Sequence, residues 1–236
     1  MKILIIRHGE PDYSIDSLTE KGWREAELLA DRLTQMDIRD FYVSPLGRAK
    51  DTAKPTLTRL HRTAEELTWL HEFRGQAVNP FTGEGSIPWN LSPRYFARQK
   101  ELYDPENWRE NAIYQAGTVG EIYDETAKGV DALLSRYGYT RDGRIYRTRQ
   151  NSTDTIALFC HFALGMAIVS YLVGVSPSVM WHGFFLPTSS VTTFITEERE
   201  KGEVVFKCLQ LGDTSHLYAG NEPVSRSGLF PETAEN

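Results

Sequence analysis

An arginine and a histidine stand together at Arg7-His8, directly after the aliphatic run Ile3-Leu4-Ile5-Ile6. A second histidine, His161, directly follows Thr155-Ile156-Ala157-Leu158-Phe159-Cys160. Arg48 comes soon after Phe41-Tyr42-Val43-Ser44, and Glu72 closes Leu67-Thr68-Trp69-Leu70-His71. These side chains suit one kind of chemistry. Guanidinium forks clamp an oxyanion, a neutral imidazole can attack phosphorus, and a carboxylic acid can protonate a leaving oxygen. Two arginines and two histidines in one crevice would form a cationic pocket within a chain of formal net charge −6, which suits a phosphate group. The set implies no metal: His-x-x-x-His spacings and clustered carboxylates are missing, and the arginines would repel a divalent cation.

The elements that must position these residues can be read from the same runs. Ile3-Leu4-Ile5-Ile6, bounded by Lys2, Gly9 and Pro11, reads as a strand buried on both faces, like the centre of a parallel sheet. Open α/β sheets bind ligands beyond the carboxyl ends of their strands, where this strand would deliver Arg7 and His8. Gly9 then lets the chain turn with no Cβ in the way. The plainer alternative is a strand that merely ends in polar residues; a second apolar strand ending in His161 weighs against it. Ser44-Pro45-Leu46-Gly47-Arg48 leads from a strand over 41–44 into a helix with Arg48 in its first turn, where backbone N–H groups favour an anion. Thr19 is the expected cap of a helix in which Trp23, Ala26, Leu29, Ala30 and Leu33 recur at helical spacing. A third strand is expected over 65–72, ending at Glu72. From Phe73 to about Thr118 the periodicity breaks down among Pro80, Pro88, Pro93 and Pro105, and so long a connection is expected to be a lid or an inserted subdomain. Residues 118–136 and 162–173 read as helices, Asp142-Gly143 as a hairpin turn, and 191–195 with 204–209 as a hairpin about Lys201-Gly202. Beyond Gly228 the tail is polar and expected to be loose.

Arg7-His8-Gly9-Glu10 resembles the Arg-His-Gly signature of the histidine phosphatase superfamily, which also contains the cofactor-dependent phosphoglycerate mutases. Leu18-Thr19-Glu20-Lys21-Gly22, the run from Ser44 to Ala53, Cys160-His161 and Gly212-Asp213-Thr214-Ser215-His216-Leu217 fall in that family's order. The likeness covers about residues 1–75 and 118–220. It implies a phosphoglycerate mutase-like fold and a phosphohistidine intermediate on His8. Arg7, Arg48 and His161 would then hold the phosphoryl oxygens, with the backbone N–H of Phe162 as an extra donor, and Glu72 would act as acid and then base. Where the mutases carry Asn this chain has Ser14, a shorter donor to the phosphate, and after Glu72 the run Phe73-Arg74-Gly75 departs from their Tyr-Gly pattern. Neighbouring cations would keep His8 neutral but favour ionised Glu72, so Glu72 is expected to gain its proton largely with substrate.

The expected architecture is an α/β/α sandwich of three layers, with a mostly parallel sheet and an insertion at about 73–118, all in one domain of 236 residues. The expected activity is metal-independent hydrolysis of a small phosphomonoester without a cofactor; a mutase and a non-catalytic phosphate-binding module are the alternatives. The acidic balance offers nucleic acid and anionic lipid no general attraction. No stretch approaches a membrane span, and the first apolar run is too short for a signal-peptide core. With Cys160 and Cys208 the only cysteines, a reducing cytoplasm is the expected compartment. Of the other histidines, His61 is expected on a solvated helix face, His71 to be structural or exposed, His182 to pack and His216 to hold the C-terminal segment.

Overall fold

A computed structural model describes residues 1–229. In β1 (Lys2–Arg7) the side chains alternate between two apolar clusters, Leu4 and Ile6 in one, Ile3 and Ile5 in the other. A strand buried on both faces needs a layer on each side. After a short ribbon of β2 (Pro11–Asp12) and β3 (Ser17–Leu18), Thr19 caps α1 (Glu20–Leu33) by accepting the Gly22 N–H at 3.0 Å. Next come β4 (Asp40–Val43) and α2 (Gly47–Leu60). Leu29 and Leu33 of α1 and Ala49 and Ala53 of α2 cover the Leu4 and Ile6 face.

The strand expected to run to Glu72 stops early. β5 is only Glu65–Glu66, and a 3₁₀ turn over Thr68–Leu70 carries the chain onward. Seating Trp69 accounts for the departure: a Cβ at Gly129 would stand 2.4 Å from its ring, so bare helix backbone receives the indole. The 73–118 segment contains the hairpin of β6 (Ala77–Val78) and β7 (Gly85–Ser86), then the short helices α3 (Pro93–Phe96) and α4 (Ala112–Gln115). Its Leu102, Trp108 and Tyr114 are buried in the same cluster as the next two long helices. Trp108 meets Tyr123 edge-on at 5.0 Å, so this stretch shares the main core.

There follow α5 (Val119–Ser135) and the hairpin of β8 (Thr140–Asp142) and β9 (Ile145–Arg147), turning at Gly143 with φ 58°. β10 (Thr155–Cys160) leads into α6 (Phe162–Val173), which has the expected bounds and ends on Gly174 in the left-handed region. The chain finishes with α7 (Pro177–Gly183), the hairpin of β11 (Val191–Glu200) and β12 (Glu203–Asp213), and α8 (Ser215–Ala219).

The large sheet has eight strands in the order β5-β4-β10-β1-β11-β12-β9-β8. From β5 to β1 the neighbours are parallel; from β1 to β8 they are antiparallel. The expected mostly parallel sheet is therefore mixed, because two tight hairpins build the second half and a tight hairpin can join only antiparallel strands. The expectation of a loose tail falls on residues outside the described ones, apart from Leu229. Among the described residues no helix is long and apolar enough to cross a membrane.

Candidate active site

Register brings the two histidines together. β1 and β10 are parallel neighbours with Arg7 opposite Cys160, so the next residue of each strand is a histidine at the same sheet edge. The His8 N–H donates to the Cys160 carbonyl at 3.0 Å, and the buried rings lie 5.1 Å apart between centroids. His8 Nδ1 is 2.7 Å from the Gly9 carbonyl, which can only accept. The ring proton of neutral His8 is thus held at Nδ1, and Nε2 keeps its lone pair. His161 Nε2 shares a hydrogen bond of 2.7 Å with Ser44 Oγ at the end of β4. Three successive parallel strands therefore supply His8, His161 and Ser44.

The arginines are held from different directions. Arg7 is buried with its guanidinium over the rings of Phe162 and Phe185, at 5.6 and 5.3 Å. It donates to the carbonyls of Leu186 and, at 3.2 Å, Ser227. Gly228 lies so close that a Cβ there would stand 2.7 Å from Arg7 Nη2. Arg48, in the first turn of α2, donates to Asp16 Oδ1 at 2.6 Å, while Asp16 Oδ2 accepts the Gly47 N–H at 2.6 Å. Arg7 Nε, Arg48 Nε and His161 Nδ1 are buried and have no hydrogen-bond partner among the described residues. Buried polar atoms of this kind cost free energy unless something bonds to them, and each is a donor of the type an oxyanion accepts from.

Glu72 lies in a loop, not at a strand end, and approaches the start of α6. Its Oε1 accepts the N–H groups of Phe73, Ala163 and Leu164 at 2.8, 3.1 and 3.0 Å. Burial pushes the Glu72 carboxyl above its ordinary range, against these bonds and the charges of Arg7 and Arg48. Desolvation outweighs Arg7 and Arg48, the cations expected from the sequence to favour ionised Glu72. His8 is held well below 6.5, first by burial and then by Arg7, and His161 likewise by burial and by His8. Both imidazoles are therefore neutral near pH 7, while burial keeps the carboxyl protonated to higher pH than an exposed glutamate.

Ser14 does not join this group. It is exposed, and its hydroxyl and N–H both turn to Asp12 Oδ1, at 2.5 and 3.0 Å, because a short Asp side chain two residues back closes a local turn. Phe162 joins through its ring over Arg7, with its N–H in the first turn of α6. Sequence reasoning missed Asp16 and Ser44 as partners. Ser44 stands in the quoted Ser-Pro-Leu-Gly-Arg run, so its position was readable; Asp16 carried no local signal. It also missed a supporting layer: Thr52 Oγ1 accepts the Gly9 N–H at 2.9 Å, and Glu25 Oε2 accepts the Glu10 N–H at 2.8 Å. His216 is buried and bonds Ser189 Oγ at 3.1 Å, while the Ser189 N–H donates to the His8 carbonyl at 3.0 Å. His182 stacks on Phe96 at 4.4 Å, His71 is buried, and His61 is the exposed C-cap of α2.

Close backbone contact fixes the turn after His8. A Cβ at Gly9 would stand 2.8 Å from the Gly22 carbonyl oxygen, and one at Gly22 only 2.2 Å from that of Glu10. Gly22→Ala is therefore expected to overpack α1 against this turn at a cost of about 1–3 kcal/mol, lowering Tm by several degrees in a thermal melt. An unchanged Tm would rule out so tight a contact.

The model of the histidine phosphatase superfamily (branch 1) matches residues 3–208. The 2,3-bisphosphoglycerate-dependent phosphoglycerate mutase of Thermoplasma acidophilum is 39% identical over 98 residues, 35% of this chain and 49% of that protein. A probable phosphatase of Schizosaccharomyces pombe is 38% identical over 66 residues, 24% of this chain and 32% of that protein. The chain thus spans about half and about a third of these curated relatives. Among solved structures, a phosphoserine phosphatase mutant from Entamoeba histolytica in complex with phosphoserine superposes with TM-score 0.60 at 22% identity, covering 92% of this chain and 98% of that one. That likeness supports the fold.

Proposed function

The chain belongs to the histidine phosphatase superfamily, and from that premise we propose that it is a metal-independent phosphomonoesterase working through a phosphohistidine on His8. His8 Nε2 attacks the phosphorus of a small phosphate ester as the bond from phosphorus to the leaving oxygen breaks. Arg7, Arg48 and His161 hold the phosphoryl oxygens, and the proton of Glu72 goes to the leaving oxygen. The Glu72 carboxylate then takes a proton from water as that water attacks the phosphohistidine. Inorganic phosphate leaves, and His8 and the acid form of Glu72 are restored.

The observation that carries this reading is the His8 ring with Nδ1 2.7 Å from the Gly9 carbonyl, 5.1 Å from a second imidazole, in a site whose Arg7, Arg48 and His161 each keep a buried nitrogen with no partner among the described residues. Release of phosphate from p-nitrophenyl phosphate in the presence of a chelator tests it; no release would leave the module reading. The partial likeness to a phosphoglycerate mutase favours a second reading, in which the phosphoryl group returns to another hydroxyl. Interconversion of phosphoglycerates would single that out.

Inorganic phosphate, as product, is expected to bind the same donors. At about 100 times its Kd it would stabilise the fold by about 2.7 kcal/mol, raising Tm by several degrees. Arg48→Ala is expected to remove most of that rise in a thermal-shift titration; a full rise in the variant would take Arg48 out of the phosphate site.

A further inference from the structure

A cavity of about 300 Å³ opens beside Arg7, walled by Trp89, Phe162, Trp181, His182 and Phe185, with Phe184 at its rim. It continues the site. Phe162 follows His161, and both Phe162 and Phe185 lie against the Arg7 guanidinium. Trp181 donates to the Ala163 carbonyl at 2.9 Å and packs at 4.9 Å on Phe73, the neighbour of Glu72. The wall is thus built on the same start of α6 that holds the Glu72 carboxyl. A phosphoryl group gripped at His8, with its leaving oxygen toward Glu72, would have this space beside it for its alcohol part.

Among the described residues, no carboxylate or ammonium lines the cavity. His182 Nδ1 lies 2.8 Å from the Ser178 carbonyl and Nε2 accepts the Leu91 N–H at 3.3 Å, so both nitrogens are occupied and the ring is neutral. A cationic alcohol part would meet Arg7, whose charge already lies over two of the rings. An anionic one would leave water for a wall of aromatic rings, while Arg7 Nη1 and Nη2 each already give one of their two N–H groups to Leu186 and Ser227. A larger cavity, about 600 Å³, lies beside Arg147 and Lys201 at the opposite edge of the sheet and contains none of the site residues. Size alone does not mark the site.

We propose that the cavity beside Arg7 receives an uncharged aromatic or apolar alcohol part of the substrate, about one or two rings in size; this rests on the phosphomonoesterase reading. The volume is at the lower end for small-molecule sites, and burying a ring there favours such esters by about tenfold or more.

The experiment compares kcat/KM for benzyl phosphate, ethyl phosphate, phosphocholine and 3-phosphoglycerate, whose alcohols are all poor leaving groups. In parallel, calorimetry compares Kd for benzylphosphonate and ethylphosphonate, which bind without turning over. Benzyl phosphate is expected to exceed each of the others at least tenfold, with the same preference among the phosphonates. Trp89→Ala and the rim variant Phe184→Ala are expected to cut the benzyl-to-ethyl ratio severalfold; thermal melts would check that both fold. Equal benzyl and ethyl values, or a lead for phosphocholine or 3-phosphoglycerate, overturns the proposal. Hydrolysis without benzyl preference sinks the cavity assignment alone; phosphonate preference without any hydrolysis sinks the phosphatase reading alone.

Discussion

His8→Ala is expected to lower kcat for p-nitrophenyl phosphate by about four orders of magnitude or more, because it deletes the atom that bonds to phosphorus. The geometry allows no neighbour to take over. His161 Nε2 is engaged by Ser44 Oγ, and its Nδ1 is among the donors assigned to the phosphoryl oxygens. His161→Ala, removing one such donor, is expected to cost about 10²–10³. The two variants should also differ in kind. Rapid quenching of the first turnover in base should leave acid-labile phosphate on the wild-type protein and on His8 specifically, with none on His8→Ala. Because His8 is buried between two strands, His8→Gln provides a variant of closer size should the alanine protein fold poorly. Turnover at the wild-type rate by a folded His8 variant would remove His8 as nucleophile.

Glu72→Gln is expected to slow hydrolysis of alkyl phosphates by about 10²–10⁴. Glutamine keeps an amide oxygen for the N–H groups of Phe73, Ala163 and Leu164, so the loop can stay in place while the proton is lost. Leaving-group dependence identifies the role. p-Nitrophenolate departs without a proton, so its initial burst should survive in the variant, followed by slow turnover because attacking water has lost its base. The pH profile gives a second readout. Burial raises the Glu72 pKa, so its acid form persists closer to neutrality, and kcat/KM falls as pH rises through that value. On the acid side activity falls only when His8 takes a proton, well below pH 6.5. Bound phosphate dianion pushes Glu72 higher still, so this limb should lie at higher pH in kcat than in kcat/KM. Glu72→Gln should lose the limb assigned to Glu72 and keep the acid one. A burst slowed equally for aryl and alkyl esters would make Glu72 a structural residue.

The parts of the molecule that were readable from the chain share a physical basis. β1 and β10 are short apolar runs whose ends are marked by charge or imidazole, and α6 is an apolar helix stopped by Gly174. Such boundaries depend on neighbouring residues, so Arg7, His8 and His161 could be assigned to strand ends, and Arg48 to a helix start, without coordinates. What resisted reading depends on residues far apart in the chain. The antiparallel half of the sheet follows from which hairpins dock beside β1. The early end of β5 follows from the fit of Trp69 against Gly129. Asp16 reaches Arg48 across 32 positions, while Ser14, two residues earlier, turns away to Asp12. The acidity of Glu72 is the sharpest case: its charged neighbours were visible in the sequence and argued for ionisation, but the sign of the shift belongs to burial, which exists only once the Glu72 loop has packed on the start of α6.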